Sequence, residues 1–187
     1  MAHLILVTGG ARSGKSSFAE NYIKSIDGKT LYIATAIAFD DEMKERIRKH
    51  QSVRPKNWDT YEGFEHLDQI IEEKDSQYTS LLLDCVTLWV TNLLFKYLKT
   101  EDYDSLTQEE INKVEQDILT EVSKMIEMLK RTSIEAVLVT NELGSSLVPE
   151  NKLGRIFRDI QGRINQQLGN TCDEVYLVVC GQSIKIK

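Results

Sequence analysis

Gly9-Gly10-Ala11-Arg12-Ser13-Gly14-Lys15-Ser16 decides how this chain folds. The stretch satisfies GxxxxGK[ST] at every fixed position. Before it, Leu4–Thr8 is a short apolar, β-branched run that predicts a strand. After it, Ser16–Ser25 has the character of a helix. Strand, glycine-rich loop and helix in that order form a phosphate cradle. Glycines let the loop turn its N–H groups inward, and the helix N-terminus adds partial positive charge. Lys15 would then reach the terminal phosphates of a nucleotide, and the Ser16 hydroxyl would bind Mg²⁺. A plain glycine turn ahead of a helix is the competing reading, but it does not require the lysine and the serine where they stand.

Working outward, Thr30–Thr35, Ser80–Cys85, Ala136–Thr140 and Glu174–Cys180 are further short runs rich in Val, Ile, Leu and Tyr. They lack polar alternation, as expected of strands covered on both faces. Ser183–Lys187 reads as a short final strand. Helical patterns fall between them at Asp40–His50, Val86–Leu98, Gln108–Arg131 and Leu153–Leu168. The strongest is Gln108–Arg131, where Ile111, Val114, Ile118, Val122, Met125 and Leu129 recur every three or four residues. Alternating strand and helix predict an α/β fold: a mostly parallel sheet flanked by helices, with a P-loop NTPase-like core. Ligands of such sheets sit beyond the carboxyl ends of the strands. At 187 residues, without linker, repeat or low-complexity tract, one domain over residues 1–187 is expected.

Composition narrows the function classes. Lys plus Arg number 23 against 29 Asp plus Glu, a formal charge of −6. That balance argues against nucleic acid or an anionic membrane as partner. No apolar run approaches a membrane span, and the N-terminus lacks the pattern of a secretory signal. Three cysteines without a CxxC suit a reducing cytoplasm better than a disulfide scaffold. The three histidines, at 3, 50 and 66, lie too far apart for a zinc motif.

Three further regions carry candidate chemistry. Leu81-Leu82-Leu83-Asp84 ends an apolar run in a carboxylate, which either holds Mg²⁺ beside a P-loop or caps the next helix. His50 ends a helix with acids first and bases last. It is either a surface histidine or a nucleophile that attacks phosphorus through a neutral imidazole, which Lys49 and Arg54 would favour. Thr140-Asn141-Glu142-Leu143-Gly144 and Val148-Pro149-Glu150-Asn151 follow a strand, with Arg155, Arg158, Asp159, Arg163 and Asn165 beyond them. That region is either a substrate loop or turn chemistry leading into a solvated helix.

Taken together, these residues resemble the bifunctional adenosylcobinamide kinase / adenosylcobinamide-phosphate guanylyltransferase family. The likeness runs along essentially the whole chain. It rests on Thr8–Ser16, Tyr32–Ala36, Asp40–Met43, Arg46, Ile47, His50, Arg54, Pro55, Trp58, Thr60, Glu62, Val139–Glu142, Val148–Asn151, Phe157–Asp159 and Asp173–Val175. The resemblance implies two reactions. ATP or GTP phosphorylates the hydroxyl on the aminopropanol arm of adenosylcobinamide. GTP then guanylylates a histidine, matched here by His50, and the GMP passes to adenosylcobinamide phosphate to give adenosylcobinamide-GDP. The family's nucleotide contacts match Gly9, Gly10, Ala11, Arg12, Ser13, Gly14, Lys15, Ser16, Ala34, Thr35, Ala36, Gln51, Ser52, Val53, Arg54, Glu62 and Asp84. Lys15 and His50 carry the implied catalysis, Ser16 and Asp84 the implied Mg²⁺. A homotrimer is implied as well.

Two other classes of function compete. A small-molecule P-loop kinase would use Lys15, Ser16 and Asp84 but give His50 no role. A nucleotide switch would carry an NKxD motif, and the sequence has none; a DNA-acting ATPase would display a basic surface.

Overall fold

The computed structural model describes residues 2–36, 55 and 57–187. The helix expected over Asp40–His50 lies outside them. The described strands are β1 (His3–Thr8), β2 (Thr30–Ala34), β3 (Trp58–Glu62), β4 (Ser80–Asp84), β5 (Glu135–Val139), β6 (Glu174–Val179) and β7 (Gln182–Lys185). The described α-helices are α1 (Lys15–Lys24), α2 (Leu67–Lys74), α3 (Val86–Tyr97), α4 (Gln108–Arg131) and α5 (Lys152–Thr171). The strands form one sheet in the order β3-β2-β4-β5-β1-β6-β7. Pairing is parallel from β3 through β6, and β7 runs antiparallel to β6.

Alternation along each strand sorts the side chains onto two faces. Leu4, Leu6, Leu31, Ile33, Leu81, Leu83, Ala136 and Leu138 face one way and pack under α2, α3, α4 and α5. Ile5, Val7, Tyr32, Ala34, Trp58, Leu82, Val137 and Val139 face the other way, where Ala19 and Ile23 of α1 cover them. Both faces are therefore apolar, which is why the inner strands read as unbroken hydrophobic runs.

Register aligns the strand ends. Val139 of β5 stands opposite Val7 on one side and Asp84 on the other, and Ala34 stands opposite both Asp84 and Glu62. The carboxyl ends of β1, β5, β4, β2 and β3 thus lie at one level. Helix starts are fixed locally. Thr107 accepts from the Glu110 amide while the Glu110 carboxylate accepts from the Thr107 amide, a capping box that starts α4. The Asn151 side chain accepts from the Gly154 amide and starts α5.

The structure adds β3 and α2 to the elements expected from sequence. Trp58-Asp59-Thr60-Tyr61-Glu62 is largely polar because, among the described strands, it is an edge. Leu67–Lys74 buries only Leu67 and Ile71, a stripe too short to stand out.

Candidate functional site

The loop after β1 is held in a shape that only its glycines permit. Gly9 has φ +151°, and a Cβ there would collide with the Val178 carbonyl oxygen of β6. Gly14 has φ +102°, and a Cβ there would lie 3.2 Å from Gly181 Cα. The loop is also braced from outside. The Gly181 amide, in the turn between β6 and β7, donates to Ser13 O at 2.8 Å, and the Glu142 amide donates to Gly9 O at 3.0 Å. Helix α1 begins at Lys15, so its unpaired amides open into the loop.

Lys15 lies inside this cradle. It is only 7% exposed, and its Nζ donates to Gly10 O at 2.5 Å. Burial lowers its pKa, and negative charge on Cys85 or Asp84 opposes the shift. The lysine therefore sits across from the end of β4, with a loop carbonyl where a phosphate oxygen could replace it.

Asp84 lies half-buried at the end of β4 and accepts from Tyr32 Oη at 3.2 Å. Tyr32, Ala34 and Leu82 share the α1 side of the sheet, and alternation puts Asp84 there too. The capping alternative for Asp84 does not hold. The N-cap of α3 is Cys85, and no side chain caps that helix. Burial and the Asp84 charge push the Cys85 thiol up to about 11, which keeps it a neutral core group.

The end of β2 behaves differently from the phosphate loop. Thr35 is fully buried and its hydroxyl both donates to Cys85 O at 2.7 Å and accepts from the Cys85 amide at 3.1 Å. Its carbonyl accepts from Asn92 Nδ2 at 2.7 Å. Its hydroxyl thus ties the end of β2 to the residue after β4, and its one proton is committed to Cys85. Ala36 follows, half-buried, and Glu62 ends β3 at the same level, exposed. Gly9, Gly10, Ala11, Arg12, Ser13, Gly14, Lys15 and Ser16 follow β1, while Ala34, Thr35, Ala36, Glu62 and Asp84 stand at the carboxyl ends of β2, β3 and β4, at the same level of the sheet. His50, Gln51, Ser52, Val53 and Arg54 lie outside the described residues.

Ser16 and Asp84 offer oxygen donors, the kind Mg²⁺ takes. Among the described residues no group of three or more His, Cys, Asp and Glu gathers into a metal cage. A pair of protein oxygens completed by phosphates and water fits Mg²⁺, which keeps much of its hydration.

The C-terminal region resolves mostly toward structure. Asn151 caps α5, Arg155 Nη1 donates to Pro149 O at 3.0 Å and to Glu150 O, and Arg163 pairs with Glu115. Asn165 belongs to a buried polar network that the sequence alone does not disclose. Thr140 Oγ1 donates to Asn165 Oδ1 at 2.8 Å, and Gln161 Nε2 donates to both Thr140 Oγ1 and Asn165 Oδ1 at 3.1 and 2.8 Å. The available signal was Gln161 itself, an amide in the apolar stripe between Ile160 and Ile164.

A lysine folded into a glycine loop, with a carboxylate at the end of a nearby parallel strand, is the construction of P-loop NTPase-like α/β proteins, and this chain has that fold. It belongs to the cobinamide kinase / cobinamide phosphate guanyltransferase family, whose model matches residues 5–186. It is an enzyme of that family, a kinase and a guanylyltransferase. It is 47% identical over 184 residues to the bifunctional adenosylcobalamin biosynthesis protein CobU of Escherichia coli K12, covering 98% of this chain and 99% of that one. The protein of the same name from Salmonella typhimurium is 46% identical over the same shares. The bifunctional adenosylcobalamin biosynthesis protein CobP of Pseudomonas aeruginosa is 34% identical, covering 97% and 96% of the two chains.

Proposed function

We propose that this chain carries out two consecutive transfers in adenosylcobalamin biosynthesis. In the first, the hydroxyl on the aminopropanol arm of adenosylcobinamide attacks the γ-phosphorus of ATP or GTP. The bond to the β-phosphate oxygen breaks, and the nucleoside diphosphate leaves. In the second, an imidazole nitrogen of His50 attacks the α-phosphorus of GTP, and pyrophosphate leaves. An oxygen of adenosylcobinamide phosphate then attacks the same phosphorus, the P–N bond breaks, and adenosylcobinamide-GDP is released with His50 restored.

The single observation that carries this reading is the pairing of a buried Lys15 in the Gly9–Ser16 loop with Asp84 at the same edge of the sheet. Amides of the loop and of the first turn of α1 bind phosphate oxygens. Lys15 gives up Gly10 O for a terminal phosphate, a stronger charge-assisted bond. Ser16 and Asp84 hold Mg²⁺, which when bound offsets phosphate charge. Ala34, Thr35 and Ala36 line the neighbouring strand end by backbone, and Glu62 and residues 51–54 complete the nucleotide contacts. Residues 1–187 act as one domain, and the domain assembles as a homotrimer.

The test is covalent labelling with Mg²⁺ and GTP radioactive at the α-phosphate. Wild type should retain an acid-labile, base-stable label after denaturation, as a phosphoramidate does, and His50→Ala should retain none. A folded, GTP-binding wild type without label would leave a P-loop kinase lacking the transferase step. Equal labelling of both proteins would move the nucleophile elsewhere.

A further inference from the structure

Strand order places β5 between the strand that feeds the phosphate loop and the strand that ends in Asp84. Whatever side chain leaves the carboxyl end of β5 toward α1 therefore emerges between Lys15 and Asp84. The ladder continues past the end of β5. The Thr140 amide donates to Val7 O at 2.9 Å, and two residues later the Glu142 amide donates to Gly9 O at 3.0 Å. Side chains go on alternating over this extension. Val139 faces α1, and Thr140 faces α5, where it bonds Gln161 and Asn165. Asn141 therefore faces α1, on the side of the phosphate loop.

The backbone of Asn141 is fixed at both polar atoms. Its amide donates to Thr87 Oγ1 at 2.8 Å, and its carbonyl accepts from Asn165 Nδ2 at 2.9 Å. Thr87 and Asn165 are themselves tied together through Thr140. Its half-buried side-chain amide, by contrast, enters no hydrogen bond among the described residues. The next residue is not a rival for this role, because Glu142 Oε1 accepts from the Gly144 amide at 2.7 Å and alternation turns it away from α1. A partly buried amide with two N–H donors and no partner, on a clamped backbone between a lysine and a carboxylate, is poised for an oxyanion.

We propose that the Asn141 side-chain amide donates to the terminal phosphate of the bound nucleoside triphosphate and stabilises the phosphoryl group as it transfers. This role rests on the phosphate-loop reading above and adds a residue to it. An amide in this position senses the third phosphate. It makes no contact with a diphosphate, whose phosphates end within the loop.

The experiment compares wild type, Asn141→Ala and Asn141→Asp in the presence of Mg²⁺. Affinities are measured for GDP and for a non-hydrolysable GTP analogue, and kcat and KM for the kinase step. Asn141→Ala should keep its melting temperature, since the clamping bonds use backbone atoms. It should keep GDP affinity within about twofold and lose triphosphate affinity and kinase kcat by roughly 10–100-fold, the range of a hydrogen bond to a charged group. Asn141→Asp should be no better than Asn141→Ala, because a carboxylate repels phosphate. If wild type binds both nucleotides while Asn141→Ala keeps both, or loses both equally, the Asn141 role is overturned and the phosphate loop stands. A folded wild type that binds neither nucleotide would sink the phosphate-loop reading and this one with it.

Discussion

Lys15 carries its charge at a cost to the fold. Burial lowers its pKa in the folded state. The sign follows directly. The penalty is present wherever the amine is protonated in both states, and it is relieved as pH rises toward the ordinary value of 10.5. Lys15→Met keeps the length and removes the charge. Without nucleotide, the variant should melt at or above the wild-type temperature near neutral pH. The gap should close as pH rises toward that of free lysine. Mg²⁺ and GTP should raise the melting temperature of wild type and leave that of the variant unchanged. A variant that melts lower yet still responds to GTP would contradict the placement of Lys15 in a phosphate site. The cradle itself was legible residue by residue, because glycine positions and a lysine at fixed spacing are local facts. The Thr35 side chain was not. Its commitment to Cys85 depends on two strands meeting 50 residues apart in sequence.

Elements were legible where packing repeats along the chain. Helix α4 runs from Gln108 to Arg131 as its apolar spacing predicts, and Val114, Ile118, Val122, Met125 and Leu129 are all buried. The capping box makes its start a separate energetic unit. Thr107→Ala should destabilise the protein by about 1 kcal/mol in urea unfolding at an unchanged m-value. Kinase activity per folded molecule should not change, because the capping bonds join Thr107 and Glu110 only to each other. A neutral result would mean that tertiary packing alone holds that end. Two elements are silent in the sequence for physical reasons. β3 buries Trp58 and exposes Asp59, Thr60 and Glu62, as an edge strand does, so it carries no apolar run. α2 spends only two turns on its partner. Strand ends shifted by a residue or two, since the last pairing depends on the neighbour rather than on propensity.

At the scale of the molecule, sheet order was the illegible quantity. Alternating strands and helices foretold a parallel α/β sheet, but not that β5 would separate β1 from β4. That order is what turns Thr140-Asn141-Glu142 from a polar turn into a wall of the site. It is also why the competing readings of the C-terminal region divide, with Asn151, Arg155 and Arg163 serving helix α5 and Asn141 remaining for chemistry. The proposed homotrimer belongs to this scale too. Light scattering on the purified protein should give three times the chain mass of 21.4 kDa. A monomer mass that persists with Mg²⁺ and GTP present would remove the trimer from the proposal.

The place of β5 also has a temporal side. His3 pairs with Glu135 and Ile5 with Glu174, so β1 finds both its neighbours across most of the sequence. Contacts of such separation close large loops before they return any stabilisation, and chains built on them fold slowly. The phosphate-loop motif is complete by residue 16, yet the strand that sets Asp84 at its proper distance arrives only with residues 135–139. A site that needs both Lys15 and Asp84 therefore depends on a finished sheet rather than on a formed loop.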